Sequence, residues 1–311
     1  MNICQRAGLL SALIAFFMFS TTTIAQENNQ GDNRTVLTKV QSLDLPTVRE
    51  GVVVHYKPGY KERAEKLGPL LNDAIQFFKK ELGIEQHFHL ALVDSLDWIQ
   101  ISSSPYGLPH VSGMNDKDPP VAVLPVIGDG TVYDFMVSLE NNFSKNLRQR
   151  IQNTGYSWEE ISGIMVDLVS LHELGHVYKN AYGIGEPALW FNELMANYFS
   201  YLYMYQERPE MAEIWDITGH AIQEGYEPHY YTLEDFEKRY VKVGVSNYAW
   251  YQSAFEIKAN PLVEKHGLSF VKTMKEVFPS GIGKIESEKV LEELEADYPG
   301  FKEWAQGFKR Q

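Results

Sequence analysis

Two histidines and a glutamate form the most informative pattern in this chain of 311 residues. His172 and His176 are four residues apart, so on a helix their imidazoles lie on one face and can bind a single metal ion. Glu173 lies between them, beside that ion. In an H-E-x-x-H arrangement the histidines hold zinc and the glutamate accepts a proton from a zinc-bound water. The pattern predicts a hydrolytic zinc centre, and its surroundings must decide whether it is one.

The residues before this pattern indicate a helix. Ser157 and Glu160 have the spacing of a capping box, in which a hydroxyl and a carboxylate close the first turn. Gly183 and Gly185 mark its end. Between them, apolar side chains recur every three or four residues: Ile161, Ile164, Met165, Leu168, Leu171 and Leu174. The two histidines are therefore expected inside a helix, not in a loop.

A third metal ligand is expected on the next helix, which follows Pro187. Glu193 is a single carboxylate among aromatic and aliphatic residues, and burying it without a cation is costly. Asn197, one turn later, could hydrogen-bond the free ring nitrogen of a zinc histidine. A helix-surface amide is the equally good alternative for Asn197.

An ordinary structural explanation competes with the metal site. A lone histidine in an amphipathic helix is usually part of a core, and a lone glutamate is usually at the surface. The combination of His172, Glu173, His176 and Glu193 on consecutive helices favours one bound zinc ion per chain. A zinc-binding scaffold without catalysis remains the alternative, because metal binding does not guarantee turnover.

The segment from Trp190 to Phe199 resembles the W-x-N-E-x-x-A-x-Y-F stretch of membrane-alanyl-aminopeptidase-like enzymes, and more broadly the peptidase MA-like gluzincins. The resemblance implies a zinc metallopeptidase with His172, His176 and Glu193 as ligands and Glu173 as the base. It covers about thirty residues. The interval from His176 to Glu193 is two residues shorter than in the aminopeptidases. Asn197 stands where the thermolysin type has an aspartate.

A hydrolytic mechanism also needs a donor for the oxyanion. The segment Tyr248–Phe255 resembles the region where related aminopeptidases carry a catalytic tyrosine, and Tyr251 fits that position best. A phenol hydroxyl donates a hydrogen bond without a pKa shift. The other candidates are Tyr248, His229, Tyr230 and Tyr231, and ordinary aromatic packing is an equal alternative for all of them.

The remaining pattern predicts an α+β zincin-like domain with two lobes. Strands are expected at 51–56, 87–93 and 121–126, and a helix at 61–82. Pro125 indicates an edge strand or a strand end, and such an edge beside the zinc could pair with an extended peptide. In the helical part, Asn260-Pro261 predicts a break. The predicted divisions are a signal peptide (1–25), a flexible leader (26–48), an N-terminal lobe with a small mixed sheet and helices (49–155), and a C-terminal helical lobe with the zinc site (156–311), the lobes together forming one catalytic domain (49–311).

Two further groups of residues carry weaker evidence of a function. Residues 112–116 loosely resemble the G-x-M-E-N signature with which related aminopeptidases bind a free amine, but the glutamate is missing. Asp116 could replace it, although a simple turn is the favoured interpretation. His87 and His89 would share one face of a strand, where a solvated or hydrogen-bonded pair is favoured over a metal site.

The N-terminal residues have the layout of a secretory signal peptide. Arg6 precedes an apolar run, and a small-residue cleavage site ends at Ala25. The sole cysteine, Cys4, precedes the run, so the exported chain would have no thiol and no disulfide. Export to the periplasm or the medium is therefore expected, without stable membrane insertion after cleavage. A retained anchor is the alternative.

The chain carries a formal net charge of −13 and has a pI near 5.2. The sequence has no cluster of lysine and arginine next to an aromatic platform on which bases could stack. A nucleic acid is therefore not an expected partner. The expected function is zinc-dependent hydrolysis of a peptide or protein substrate. The alternatives are an inactive zincin-like scaffold or interaction protein, and a zinc amidohydrolase acting on a non-protein amide. The sequence does not determine the oligomeric state.

Overall fold

Five strands form one mixed sheet in the N-terminal part, and long helices make up the C-terminal part. The computed structural model describes residues 34–114, 118–126 and 130–308. The predicted signal peptide lies outside the described residues, as do residues 26–33 of the leader and Asn115 and Asp116 of the G-x-M-E-N-like segment. An α+β fold is confirmed, whereas the two-lobed zincin arrangement stays a prediction.

The sheet has three parallel central strands and an antiparallel strand at each edge. Its spatial order is β1-β2-β3-β5-β4, with β2, β3 and β5 parallel. The outer pairs, β1 with β2 and β4 with β5, are antiparallel. The strands are β1 (Thr47–Glu50), β2 (Val52–Tyr56), β3 (His89–Val93), β4 (His110–Ser112) and β5 (Val121–Pro125).

The helices of the described residues follow in chain order. The early ones are α1 (Val36–Ser42), α2 (Lys61–Leu82), α3 (Ser95–Ile101), α4 (Thr131–Ser138) and α5 (Lys145–Thr154). Those that build and surround the site are α6 (Trp158–Tyr182), α7 (Leu189–Glu207), α8 (Pro209–Gly225), α9 (Leu233–Arg239) and α10 (Val245–His266). The last are α11 (Leu268–Val277), α12 (Ser287–Asp297) and α13 (Phe301–Gly307). No helix among the described residues has the length and apolar character needed to cross a membrane.

One ionic contact fixes α6 to the sheet. The buried Arg63 of α2 donates from Nε to Asp167 Oδ1 of α6 at 2.6 Å and from Nη1 to the carbonyl of Pro125 at 2.6 Å. Charge-assisted bonds of this kind are about twice as strong as neutral ones. One guanidinium therefore joins α2, α6 and the end of β5, next to the helix that carries the two histidines.

Two predictions about elements differ from the structure. The strand ending at Pro125 is interior, and its edge neighbour is β4, which has only three residues. Pro125 is the last residue of β5, where a missing N–H costs little. Helix α10 continues through Pro261, so the predicted break is wrong.

The predicted leader at 26–48 contains α1 and the first residues of β1. Leu37 and Val40 of α1 are buried against Trp98 and the outer face of β3 and β5. This helix is short, and its apolar residues alone are too few to show a period. Its order comes from packing against the sheet, which a local pattern does not reveal.

The main hydrophobic core is continuous from the sheet to the helices. A single cluster of buried residues includes Val54 and Leu92 of the sheet together with Trp190 and Phe255 of α7 and α10. The described residues form one compact unit. The site helices are therefore held on a shared core that extends beyond the C-terminal part.

Candidate metal centre

Helix α6, which carries the two histidines, begins and ends where the sequence predicts. Ser157 and Glu160 form the expected capping box, and Gly183 ends the helix in the left-handed region with a φ of 88°. His172, Glu173 and His176 lie in its second half, and all three are buried. A central position in a capped helix fixes the backbone from which the two imidazoles project.

Helix α7, which carries Glu193, packs closely against α6. Glu237 of α9 accepts a hydrogen bond from the backbone N–H of Trp190 at 2.9 Å, which satisfies a donor at the start of α7. Gly175 lies where the helices meet, and a Cβ placed there would be 2.5 Å from the carbonyl oxygen of Ala196. The absence of a side chain at Gly175 is thus what lets the helices approach.

This approach brings three predicted metal ligands together. His172 Nε2 is 3.1 Å from His176 Nε2, and the Oε2 of Glu193 is 3.3 Å from the first and 3.4 Å from the second. Among the described residues these three form the one group of at least three such side chains that could hold a metal ion. Glu193 is 1% exposed, so its carboxylate faces the histidines and not the solvent.

The separations of these three atoms fit a tetrahedral ion. Ligands at about 2.0–2.1 Å from such an ion lie about 3.3 Å from one another, since a tetrahedron's edge is about 1.6 times its radius. The observed 3.1–3.4 Å matches this edge on all three sides. Two imidazoles and one carboxylate are also a donor set that zinc prefers. The arrangement can therefore hold a metal ion and leaves one tetrahedral position to be filled from outside the triad.

A buried network of side chains orients two of the ligands. Asn197 is 2% exposed, and its Oδ1 accepts from His172 Nδ1 at 2.8 Å. This contact leaves the Nε2 of His172 with its lone pair toward the metal position. Asn197 donates in turn to Gln252 Oε1 at 3.1 Å, and Gln252 Nε2 donates to Glu193 Oε2 at 2.7 Å. Asn197 is thus a buried partner of the site and not a surface amide.

The other carboxylate oxygen of Glu193 is held separately. Tyr240 donates its hydroxyl hydrogen to Glu193 Oε1 at 2.6 Å. Burial opposes charge on Glu193, but the neighbouring His176 and His172 hold the pKa of its carboxyl well below the usual value. Burial also opposes charge on His172, yet hydrogen bonding to Glu193 and the charge of Glu173 raise its pKa. The site therefore favours a carboxylate and attracts positive charge.

A cavity of about 80 Å³ opens beside the triad. His172 and Glu173 form one part of its wall, Asn197 and Gln252 another, and most of the remaining lining is apolar. Glu173 projects into this space from the same helix as the two histidine ligands. A carboxylate in this position can accept a proton from a water molecule bound at the open metal position.

The structure separates the candidate tyrosines. Tyr251 is fully buried, and its hydroxyl donates to the carbonyl of Thr232 at 2.8 Å, so it contacts none of the triad. Tyr248 instead lines the cavity with His172 and Glu173. Its hydroxyl is hydrogen-bonded with Tyr240 and Gln252. Burial and the charge of Glu193 raise the pKa of Tyr248 well above its ordinary value, so it keeps its proton.

His229 and Tyr230 have contacts with residues outside the triad. The backbone N–H groups of His229 and Tyr230 both donate to Asn247 Oδ1 at 2.9 Å, and Tyr230 lies under the guanidinium of Arg239. His87 precedes β3 and does not pair with His89, whose Nδ1 is 3.0 Å from His55 Nε2. This pair of stacked imidazoles lies on the sheet and supports the hydrogen-bonded interpretation of His89.

Comparisons with protein-family models, curated protein sequences and solved structures found no match to this chain. The assignment of the site therefore depends on its own geometry and chemistry. What these establish is a buried group of two histidines and one glutamate that could hold a metal ion, with a further glutamate beside it in a cavity.

Proposed function

We propose that the protein is a zinc-dependent metallopeptidase of the gluzincin type. The observation that carries the proposal is the near-equilateral triangle of His172, His176 and Glu193, with Glu173 on the same helix as the histidines and directed into the cavity. A purely structural group would not need an additional buried carboxylate beside the ligands, because that carboxylate adds a desolvation cost. A general base needs this position.

The chain's own residues account for the proton transfers. Zinc at this site would lower the pKa of a coordinated water and polarise a substrate carbonyl. Glu173 would accept the proton of the attacking water and later deliver it to the amine that leaves. Tyr248 would donate a hydrogen bond to the carbonyl oxygen as negative charge develops there. We assign this donor role to Tyr248 in place of Tyr251, because only Tyr248 borders the cavity.

The edge of the sheet supports a peptide as substrate. Leu108 and Pro109 line the cavity directly before β4, and the charge of Glu173 acts on His110, the first residue of β4. Since β4 is an edge strand, its outer backbone groups could pair with an extended peptide. Such a peptide would run past Glu173, with one side chain directed into the cavity.

Two other functions compete with this one. An inactive scaffold would keep the metal without cleaving anything, and a zinc amidohydrolase would use the same residues on a non-protein amide. The position of Glu173 disfavours the scaffold, and the edge strand favours a peptide over a compact amide. Export to the periplasm or the medium stays a prediction from the N-terminal sequence.

The test combines metal content with cleavage of a mixed peptide library read by mass spectrometry. We expect one zinc per chain and cleavage that a chelator abolishes. The variant Glu173→Gln should keep zinc and lose at least about 100-fold in rate, the contribution typical of a general base. One zinc per chain with no cleavage of peptides by the wild type would support the scaffold, and hydrolysis of other amides alone would support the amidohydrolase.

A second pair of variants tests the oxyanion donor. Tyr248→Phe should lower kcat by about 100-fold or more with little change in KM, since the donor acts in the transition state. Tyr251→Phe is the matched control, because it removes a hydroxyl of the same helix that binds only the Thr232 carbonyl. The reverse result would return the role to Tyr251.

A further inference from the structure

The inner end of the cavity contains a buried carboxyl that the proposed mechanism does not use. Trp215 and Ile222 of α8 form one wall there, and Glu256 of α10 forms another. Glu256 is 5% exposed. Its carboxyl lies against Gly219, where an added Cβ would be 2.5 Å from Oε1. The absence of a side chain at Gly219 leaves the space that this carboxyl occupies.

Glu256 has no cationic partner among the described residues, and the one hydrogen bond that lowers the pKa of its carboxyl comes from the backbone of Gly219. Its Oε1 is buried and has no hydrogen-bond partner among the described residues. The charge of a second carboxylate, Asp216, acts on it, and Arg150 is bonded to Asp216 and Glu213. Unsatisfied buried acceptors are rare in proteins and often mark a functional site.

Most of the cavity lining is apolar. It includes Val132, Met165, Val169, Val245 and Ala249, and it contains no lysine or arginine. The space thus has an aliphatic passage, an acidic end and a volume of about 80 Å³, which suits a single side chain. This combination is complementary to a long aliphatic stem that ends in a positive charge.

We propose that this cavity is a specificity pocket for a lysine or arginine side chain of the substrate, with Glu256 bound to the cationic head. The proposal rests on the proposed peptidase function, since it places that residue next to the bond that Glu173 helps to hydrolyse. It makes the enzyme selective for basic residues beside the scissile bond.

Other side chains fit the pocket less well. An aliphatic residue would leave Glu256 Oε1 without a donor, and an acidic residue would place a second carboxyl beside Glu256. Glutamine is the closest competitor, because its amide could donate to Glu256 and accept from the indole Nε1 of Trp215, which also has no partner among the described residues. A cation is favoured over glutamine because its hydrogen bond to the Glu256 carboxylate would be charge-assisted, which makes it about twice as strong as a neutral one.

The charge state of Glu256 agrees with this role. Burial and the charge of Asp216 raise the pKa of the Glu256 carboxyl well above its usual value, which favours its protonated form when no cation is present. A basic side chain would restore the ionised form and form a charged pair inside the protein. A ligand would therefore supply the cationic partner that Glu256 lacks among the described residues.

The first experiment compares peptides that differ at one position. The library fixes the residue next to the cut, and matched peptides then carry lysine, methionine or glutamine there. We expect wild-type kcat/KM to be about 30-fold higher for lysine than for methionine, as expected for a buried charge pair. In Glu256→Gln the lysine-to-methionine ratio should fall to about one.

Two further variants serve as controls for this comparison. Glu264→Gln removes a charge two turns along α10 at an exposed position, and it should keep the wild-type ratio. Glu256→Asp keeps the charge on a shorter side chain, so it should still prefer a cation and shift from lysine toward the longer arginine. Zinc content and thermal stability report whether each variant is folded. A wild-type preference for methionine or glutamine, or an unchanged ratio in Glu256→Gln, would overturn the proposal.

A binding measurement separates this proposal from the peptidase function. n-Butylammonium is titrated into the zinc-loaded protein, and the indole N–H signal of Trp215 is followed by NMR after assignment with Trp215→Phe. We expect a saturable shift in the wild type and in Glu264→Gln, and none in Glu256→Gln. If the wild type cleaves no peptide but shows the Glu256-dependent shift, the peptidase function fails and the cation pocket stands. No shift in the wild type would refute the pocket.

Discussion

Replacing Gln252 should weaken metal binding although Gln252 is not a ligand. Its amide donates to Glu193 Oε2 at 2.7 Å and its carbonyl accepts from Asn197 at 3.1 Å, so it orients two ligands at once. Gln252→Met keeps the length and removes both bonds, together with the contact to the Tyr248 hydroxyl. A hydrogen bond to a carboxylate contributes about 1.5–3 kcal/mol and a neutral one about 1 kcal/mol.

The expected loss follows from what remains in the variant. Tyr240 still holds Glu193 Oε1, and Asn197 still contacts His172, so only part of the total is lost. A loss of about 2–3 kcal/mol corresponds to zinc binding that is about 30- to 150-fold weaker. Such a value agrees with the usual cost of about 10- to 100-fold for removing a partner of metal ligands.

Competition with a chromogenic chelator measures the zinc Kd directly. Thermal unfolding with and without excess zinc gives a second value, because weaker binding reduces the metal-dependent stabilisation by the same free energy. Gln100→Met, at an exposed position in α3, is the control and should bind zinc like the wild type. If Gln252→Met is folded and its Kd lies within about threefold of the wild type, the network does not orient the ligands and our reasoning is wrong.

Three further predictions test the scaffold around the site. Gly175→Ala places a methyl against the Ala196 carbonyl, so it should lower the free energy of unfolding by about 1–3 kcal/mol and also weaken zinc binding; normal zinc affinity would contradict the close-approach argument. Pro261→Ala should stabilise the protein by up to about 3 kcal/mol in denaturant unfolding, because it restores a donor at an exposed position inside α10. Burial, the neighbouring His89 and Arg49 lower the pKa of His55 to about 4, so the unfolded chain binds the extra proton and stability should fall as the pH drops from about 6.5 to 4. His55→Phe should flatten that part of the pH–stability curve relative to a control, His220→Phe, at a more exposed histidine.

The metal triad was predictable because each part of it has a local signal. The capping box at Ser157 and the glycine at 183 locate α6, and the four-residue spacing places His172 and His176 on one face. Glu193 stands out as a carboxylate in an apolar helix. That all three meet is a tertiary fact, which depends on Gly175 and the contact between α6 and α7.

The parts that the sequence did not reveal lack such signals. Strand β4 has three residues and no alternation, so its role as the edge strand appears only when β5 is seen to pair on both sides. Pro261 ordinarily predicts a helix end. Here the turns on both sides of it are packed, with Ala259, Leu262 and Val263 buried, so tertiary contacts outweigh the lost hydrogen bond.

The sequence contains a signal that distinguishes Tyr248 from Tyr251. Residues 248, 252 and 256 are four apart, so Tyr248, Gln252 and Glu256 share one face of α10, and all three line the cavity. Tyr251 lies on another face, stacked on Phe255 within an aromatic cluster. This face of α10 carries a phenol, an amide and a carboxyl, which is unusually polar for the buried face of a helix. The four-residue spacing of Tyr248, Gln252 and Glu256 is therefore a signal in the sequence that favours Tyr248 as the proposed donor. The same face of α10 carries Gln252, which donates to the proposed metal ligand Glu193, and Glu256, the proposed partner of a basic side chain. Helix α10 would therefore both orient the proposed metal ligands and bind the substrate side chain.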